Sequence, residues 1–184
     1  MRYFLLLIFI LIFNCQQKSD DRINLFEETL GRRKTKALDL LVSDFEDNLK
    51  KIYPNLSIEE GYRKYMNDII SESNSNSKKF EFQSDITDSE FHKSGLWDEI
   101  YELSNDNDEF EVDSVKTINS KNTGKYMFAL FKVKDSDSLL KTYWKYREAG
   151  GLIQHEIVVD GILSLKPNFN DYFHKRITVV EFSY

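Results

Sequence analysis

Three histidines, a single cysteine and a few short acidic runs are the residues of this chain equipped for chemistry. His92, His155 and His174 stand far apart, and none opens an H-E-x-x-H pair. No G-x-S-x-G turn presents a serine nucleophile, and no glycine-rich strand-to-helix turn cradles a phosphate. The histidines are therefore expected at the surface or in structural roles. His174, beside Lys175 and Arg176, suits a helix C-terminus, where the helix dipole favours cations. The run Asp106-Asn107-Asp108-Glu109 invites a calcium reading, but Phe110 takes the third ligand position and no glycine comes after it. A solvated loop is the simpler reading. Asp135-Ser136-Asp137-Ser138 is better suited to capping a helix than to holding a cation. These patterns yield no catalytic residue, cofactor-binding residue or metal ligand.

Cys15 has a different setting. Arg2 supplies one positive charge, and Tyr3–Phe13 (YFLLLIFILIF) is an unbroken apolar run. As a helix those eleven residues span roughly 16 Å, about half of a hydrocarbon core of about 30 Å. That length fits the apolar region of a signal peptide and is short for a membrane-spanning anchor. An ordinary secretory cleavage site needs small residues, yet the first alanine is Ala37. The run instead ends in Ile12-Phe13-Asn14-Cys15. This resembles the lipobox of bacterial lipoproteins, with an aliphatic residue three before an obligatory cysteine; Asn14 stands where Gly, Ala or Ser is commoner. The resemblance implies cleavage before Cys15 and a diacylglycerol on its sulfur, often with acylation, such as palmitate, on the new amine. Each buried CH₂ is worth about 0.8 kcal/mol, so two or three chains give stable anchoring. The resemblance covers residues 1–21, where Lys18-Ser19-Asp20-Asp21 also resembles the surface-export signal of Bacteroidetes lipoproteins; a plain polar tether facing the periplasm is the other reading.

Composition bounds the rest. At 184 residues with 41% apolar content the chain can fill one sizeable core. Removing residues 1–14 takes away only Arg2 and changes the net charge from −6 to −7. Such a balance argues against nucleic acid and against anionic membrane surfaces as partners, both of which need a Lys/Arg footprint. With one cysteine, no disulfide forms within the chain.

The elements expected are mainly helical. Residues 1–14 read as the signal peptide, 15–33 as a lipid-anchored tether and 34–184 as a single domain with a polar linker near 71–79. As flexible coil the tether would hold the domain roughly 20–25 Å from the bilayer. Ile23, Phe26 and Leu30 have helical spacing, which allows a short helix ended by Gly31. Leu38, Leu41, Val42, Phe45, Leu49 and Ile52 predict an amphipathic helix over 34–53, stopped by Pro54. Ser57-x-x-Glu60 is a capping box for a second helix with Ile58, Tyr62, Tyr65, Met66, Ile69 and Ile70 on one side, and the short loop makes the pair an antiparallel hairpin. Thr87-x-x-Glu90 is expected to cap a third, ended by Gly95, with Leu96–Leu103 docking back on the hairpin. Helix and strand compete for Lys125–Val133. Asp135 or Ser136 is expected to cap a helix through Leu139, Leu140, Tyr143, Trp144 and Arg147 to Gly150-Gly151. In the C-terminal third, Ile157–Leu163 carries an Asp-Gly hairpin signal and Ile177–Phe182 is β-branched, so a short β element is expected there, against the alternative of buried short helices.

Function at this point is an expectation: a membrane-anchored envelope lipoprotein, more fitted to binding or structure than to catalysis. Its partners would be the membrane through Cys15 and an envelope or surface protein, with no cofactor and no nucleic acid. Its expected location is the bacterial envelope, at the outer membrane. Two other readings stand beside it. Trp97 and Trp144 with neighbouring tyrosines suit a sugar-stacking platform, and acids such as Asp98 or Glu99 suit a hydrolase with dispersed carboxylates. Asp113-Ser114-Val115 and Asp137-Ser138-Leu139 resemble the O-glycosylation triplets of Bacteroidetes secreted proteins.

Overall fold

The structure, a computed structural model, describes residues 20–72, 80–104, 117–149 and 155–183. It is mainly α, with nine α-helices among the described residues and one two-stranded antiparallel sheet. Helices α1 (Asp21–Leu30), α2 (Arg32–Ile52) and α3 (Ile58–Glu72) are followed by α4 (Asp85–Lys93) and the short α5 (Trp97–Ile100). Strands β1 (Tyr101–Ser104) and β2 (Thr117–Ser120) pair from Tyr101 with Ser120 to Ser104 with Thr117. Then come α6 (Lys125–Val133), a 3₁₀ turn (Lys134–Ser136), α7 (Ser138–Glu148), α8 (His155–Ser164) and α9 (Tyr172–Glu181).

The predicted hairpin is the frame. Along α2 the apolar side chains fall every three or four residues, so Leu38, Leu41, Val42, Phe45 and Leu49 share one buried face. The Ser57–Glu60 box is closed in both directions: the Ser57 amide donates to the Glu60 carboxylate at 2.9 Å, and the Glu60 amide donates to Ser57 Oγ at 3.3 Å. Phe45 meets Tyr62 at 5.0 Å and Tyr65 at 4.8 Å between ring centroids, and an atom replacing a Gly61 hydrogen would lie 3.5 Å from Leu49. Those pairings run in opposite chain directions, as an antiparallel pair requires. Ile70, expected on the packed side, is 40% exposed.

The short helix that Ile23, Phe26 and Leu30 allow within 15–33 forms over Asp21–Leu30 and ends at Gly31, with Asp20 accepting from the Arg22 amide and Phe26 and Leu30 fully buried. Phe26 packs edge-on against Tyr126 of α6 and Phe173 of α9, so the domain reaches back to Asp20. The third helix is capped by Ser84 rather than Thr87, whose side chain is buried while its amide donates to Ser84 Oγ. The cap of α7 is Asp137 rather than Asp135 or Ser136, since its carboxylate accepts from the amides of Leu139 and Leu140 at 2.8 and 3.0 Å. The β element lies at β1 and β2, and the C-terminal third is helical. In α8, Val158, Val159 and Ile162 turn inward while Ile157 is 60% exposed, a helical spacing that overrides the strand preference of β-branched residues.

The run Lys125–Val133 resolves as helix because Tyr126, Met127, Ala129, Leu130 and Val133 form one buried stripe. Leu96 and Ile100 do dock inward, whereas Leu103 is half-exposed. Gly150-Gly151 and most of the 71–79 linker lie outside the described residues.

Candidate functional site

Cys15 lies outside the described residues, as do the acidic run 105–116 with its calcium reading and the triplet Asp113-Ser114-Val115. His155 opens α8. His92 stacks on Trp97 at 5.4 Å and faces Asp88 on its own helix. His174 corrects the sequence reading: it sits in the first turn of α9, not the last. Asp171 caps that helix, and the amide of Asn168 donates to His174 Nδ1 at 3.0 Å. An amide can only donate, so Nδ1 is the bare nitrogen and Nε2 carries the proton toward Asp137, 3.1 Å away. His174 thus ties the start of α9 to the start of α7. Among the described residues, no group of His, Cys, Asp or Glu side chains is placed to hold a metal ion.

Of the two acids proposed for hydrolysis, Glu99 has its carboxylate engaged in a structural joint. Glu99 pairs with Lys34 of α2 and accepts from the Lys125 amide at 2.6 Å, at the start of α6. Burial would raise its carboxyl, but the hydrogen bonds from Lys34 and Lys125 prevail and hold it below the ordinary carboxylate range. Gly124, at φ +132°, lets the chain pass close to it: an added Cβ would lie 2.9 Å from Glu99 Oε2 and 3.0 Å from its carbonyl oxygen. The carbonyl of neighbouring Asp98 accepts from Lys121.

One group of ionisable side chains converges inside the molecule. The Tyr143 hydroxyl donates to Glu181 Oε1 at 2.5 Å, and the Arg147 guanidinium lies 3.4 Å from the same oxygen. Arg147 also donates to Ser120 Oγ at 2.5 Å and to the Ile100 carbonyl at 3.2 Å. Tyr101 completes the set by donating to the Val180 carbonyl at 2.5 Å. Burial, reinforced by the Glu181 charge, pushes the Tyr143 hydroxyl far above its usual value, so it remains a donor. Burial opposes the Arg147 charge, but the Tyr143 and Glu181 oxygens outweigh it and keep the guanidinium charged. Arg147 and Glu181 are both under a tenth exposed. This network joins α7, α9 and the sheet, and closes them against solvent. The carboxylate and guanidinium neutralise one another out of water, which makes the network a fastener between these elements.

The opposite case is on the outer side of α6 and α7. Phe128 and Phe131 are 53% and 48% exposed, one helical turn apart, with parallel rings 6.4 Å between centroids. Phe131 meets Trp144 of α7 at 5.5 Å. Lys134 Nζ lies 4.8 Å from the Phe131 ring centre and 5.1 Å from that of Trp144, and Lys132 Nζ lies 5.0 Å from Phe128. Trp97 does not share this ridge; it packs with His92 and Tyr101. The two tryptophans therefore serve different parts of the molecule. The signal for the ridge was in the sequence: KYMFALFKV is too apolar for a helix burying one stripe, and lysines bracket it. In the triplet Asp137-Ser138-Leu139, Asp137 is the cap, Ser138 is exposed and Leu139 is buried.

No described helix is long and apolar enough to cross a membrane. Set against protein-family models, curated proteins and solved structures, the chain matches none.

Proposed function

We propose that the chain is a bacterial envelope lipoprotein, anchored by lipid on Cys15, whose helical domain binds a partner or plays a structural part at the membrane. The observation that carries this reading is the lone cysteine set directly behind an eleven-residue apolar run that is too short to span a bilayer. The start of the packed domain supports it. Asp20 caps α1 only five residues beyond Cys15, so a lipid there would hold a folded unit close to the surface. The non-enzymatic part of the reading draws support from Glu99, whose carboxylate joins Lys34 to the start of α6.

The test is metabolic labelling with a palmitate analogue in a bacterial host, comparing the native chain with Cys15→Ser. Label on the native chain, its absence from the variant, and loss of the variant from the membrane fraction are expected. Equal labelling of both would overturn the assignment. Protease treatment of intact cells then separates a domain displayed on the surface from one facing the periplasm.

A further inference from the structure

We infer that the Phe128–Phe131–Trp144 ridge is a second membrane contact, lying in the interface of the bilayer that holds the lipid anchor. This rests on the lipid at Cys15 proposed above, and adds an orientation to it.

The first support is where the anchor enters the domain. The Asp20 carboxylate grips the guanidinium of Arg22, 2.5 Å away at its closest, and Arg22 Nη1 lies 3.4 Å from Ser136 Oγ. Ser136 ends the 3₁₀ turn that begins at Lys134, the residue whose ammonium sits over Phe131 and Trp144. The chain therefore leaves the domain beside the ridge. Asp20 lies five residue steps from Cys15, a stretch that reaches at most about 17 Å when fully extended. A lipid at Cys15 inserted in a bilayer brings this side of the domain to the surface, and the opposite side away from it.

The second support is the chemistry of the ridge. Tryptophan and other aromatic rings partition to the headgroup level, and lysines beside them keep their ammonium groups in the polar layer while their stems cover apolar surface. The charge shows the same division. Leaving out Arg147, which is buried against Glu181, Lys125–Glu148 carries five Lys against three Asp or Glu, a net +2 in a chain of net −6. Asp135, an exposed acid next to Lys134, is paired with both Lys134 and Lys141. Lys132, exposed over Phe128, is the cation that this face offers to lipid phosphates.

The experiment uses the full chain, lipidated in its host and reconstituted into vesicles of phosphatidylethanolamine and phosphatidylglycerol with acyl chains brominated near the headgroup. Trp97→Phe leaves Trp144 as the only tryptophan. Its emission is expected to fall by about half or more relative to unbrominated vesicles, as for a ring at the interface. Adding Phe128→Asp and Phe131→Asp is expected to restore most of that emission while flotation shows the chain still bound. Trp144→Phe, which leaves Trp97, is expected to stay unquenched. A lipidated, floating chain whose Trp144 is equally bright in both vesicles overturns this inference alone, including the case in which the ridge holds a second copy or a soluble protein. Intact mass showing no lipid on Cys15 overturns the anchoring reading and this one with it.

Discussion

The molecule holds two aromatic clusters built from the same residue types, one closed and one open. Around Phe45, the rings of Tyr62, Tyr65, Phe82 and Phe182 gather within 4.8–6.3 Å. Phe45, Tyr62 and Tyr65 have no exposure at all. Along α6 and α7, the rings of Phe128, Phe131 and Trp144 contact one another at similar distances, yet the two phenylalanines are about half exposed. The first cluster is enclosed by α2, α3 and the end of α9, so its rings lose water on every side. The second has helix on one side and only lysine stems on the other. Helix α6 contributes to both inside and outside, sending Tyr126 and Leu130 to the core and Phe128 and Phe131 away from it. Ring-to-ring contact thus does not say what a cluster is for; what covers the rings does.

Substitutions can break this contrast. Phe45→Ala should cost about 3–5 kcal/mol, the usual range for emptying a buried phenylalanine site, read from the urea midpoint. Arg147→Met should cost a similar amount, about 3–5 kcal/mol, because it strands Glu181 as a buried unpaired carboxylate. Pairing it with Glu181→Leu should recover much of that loss, and a double variant no more stable than the single would show that the ion pair is not what fastens α7 to α9. Gly124→Ala should cost about 1–3 kcal/mol, since a side chain at that φ is strained and meets Glu99. At the smallest end, Phe128→Asp with Phe131→Asp should change stability by no more than about 0.5 kcal/mol each, as exposed positions do. A loss near that of Phe45→Ala would mean that the ridge is core, and the contrast would fail.

Acid probes the joint that Glu99 makes. Its carboxyl titrates below the ordinary value of 4.5 in the folded state, so its contribution is complete above that value and is lost as pH falls through the lower, folded one. The urea midpoint should therefore fall as pH drops below 4.5, and Glu99→Gln should be less stable at neutral pH and flatter through that acid limb. An unchanged profile would remove Glu99 from the joint between α2 and α6.

How much of this was legible depended on how many sides of an element face water. The hairpin was readable because α2 and α3 keep a polar face, which lets the apolar spacing and the Ser57–Glu60 box stand out. Helix α9 was not, because every residue from Ile177 to Phe182 is buried, and a segment enclosed on all sides has no amphipathic period to read. Its one local signal was Asp171, whose carboxylate accepts from the Phe173 and His174 amides. The reading of His174 failed for the same reason: with Ile177–Phe182 read as a strand, the basic run His174–Arg176 suited the end of a helix, whereas it lies in the first part of α9. The ridge was half legible, as an apolar run without a strand's alternation, but its meaning needed the position of Ser136 beside Arg22. Among the residues singled out for chemistry, the structure brings His174 to Asp137 and leaves Trp97 and Trp144 in separate surroundings.

The central claim concerns Cys15, and the most direct measurement is the mass of the N-terminal tryptic peptide from the membrane-bound protein. The peptide expected begins at Cys15 and ends at Lys18, heavier than its sequence by a diacylglycerol and, where the amine is acylated, a further fatty acid. A peptide that runs through Asn14 into Cys15 with an unmodified thiol would contradict it.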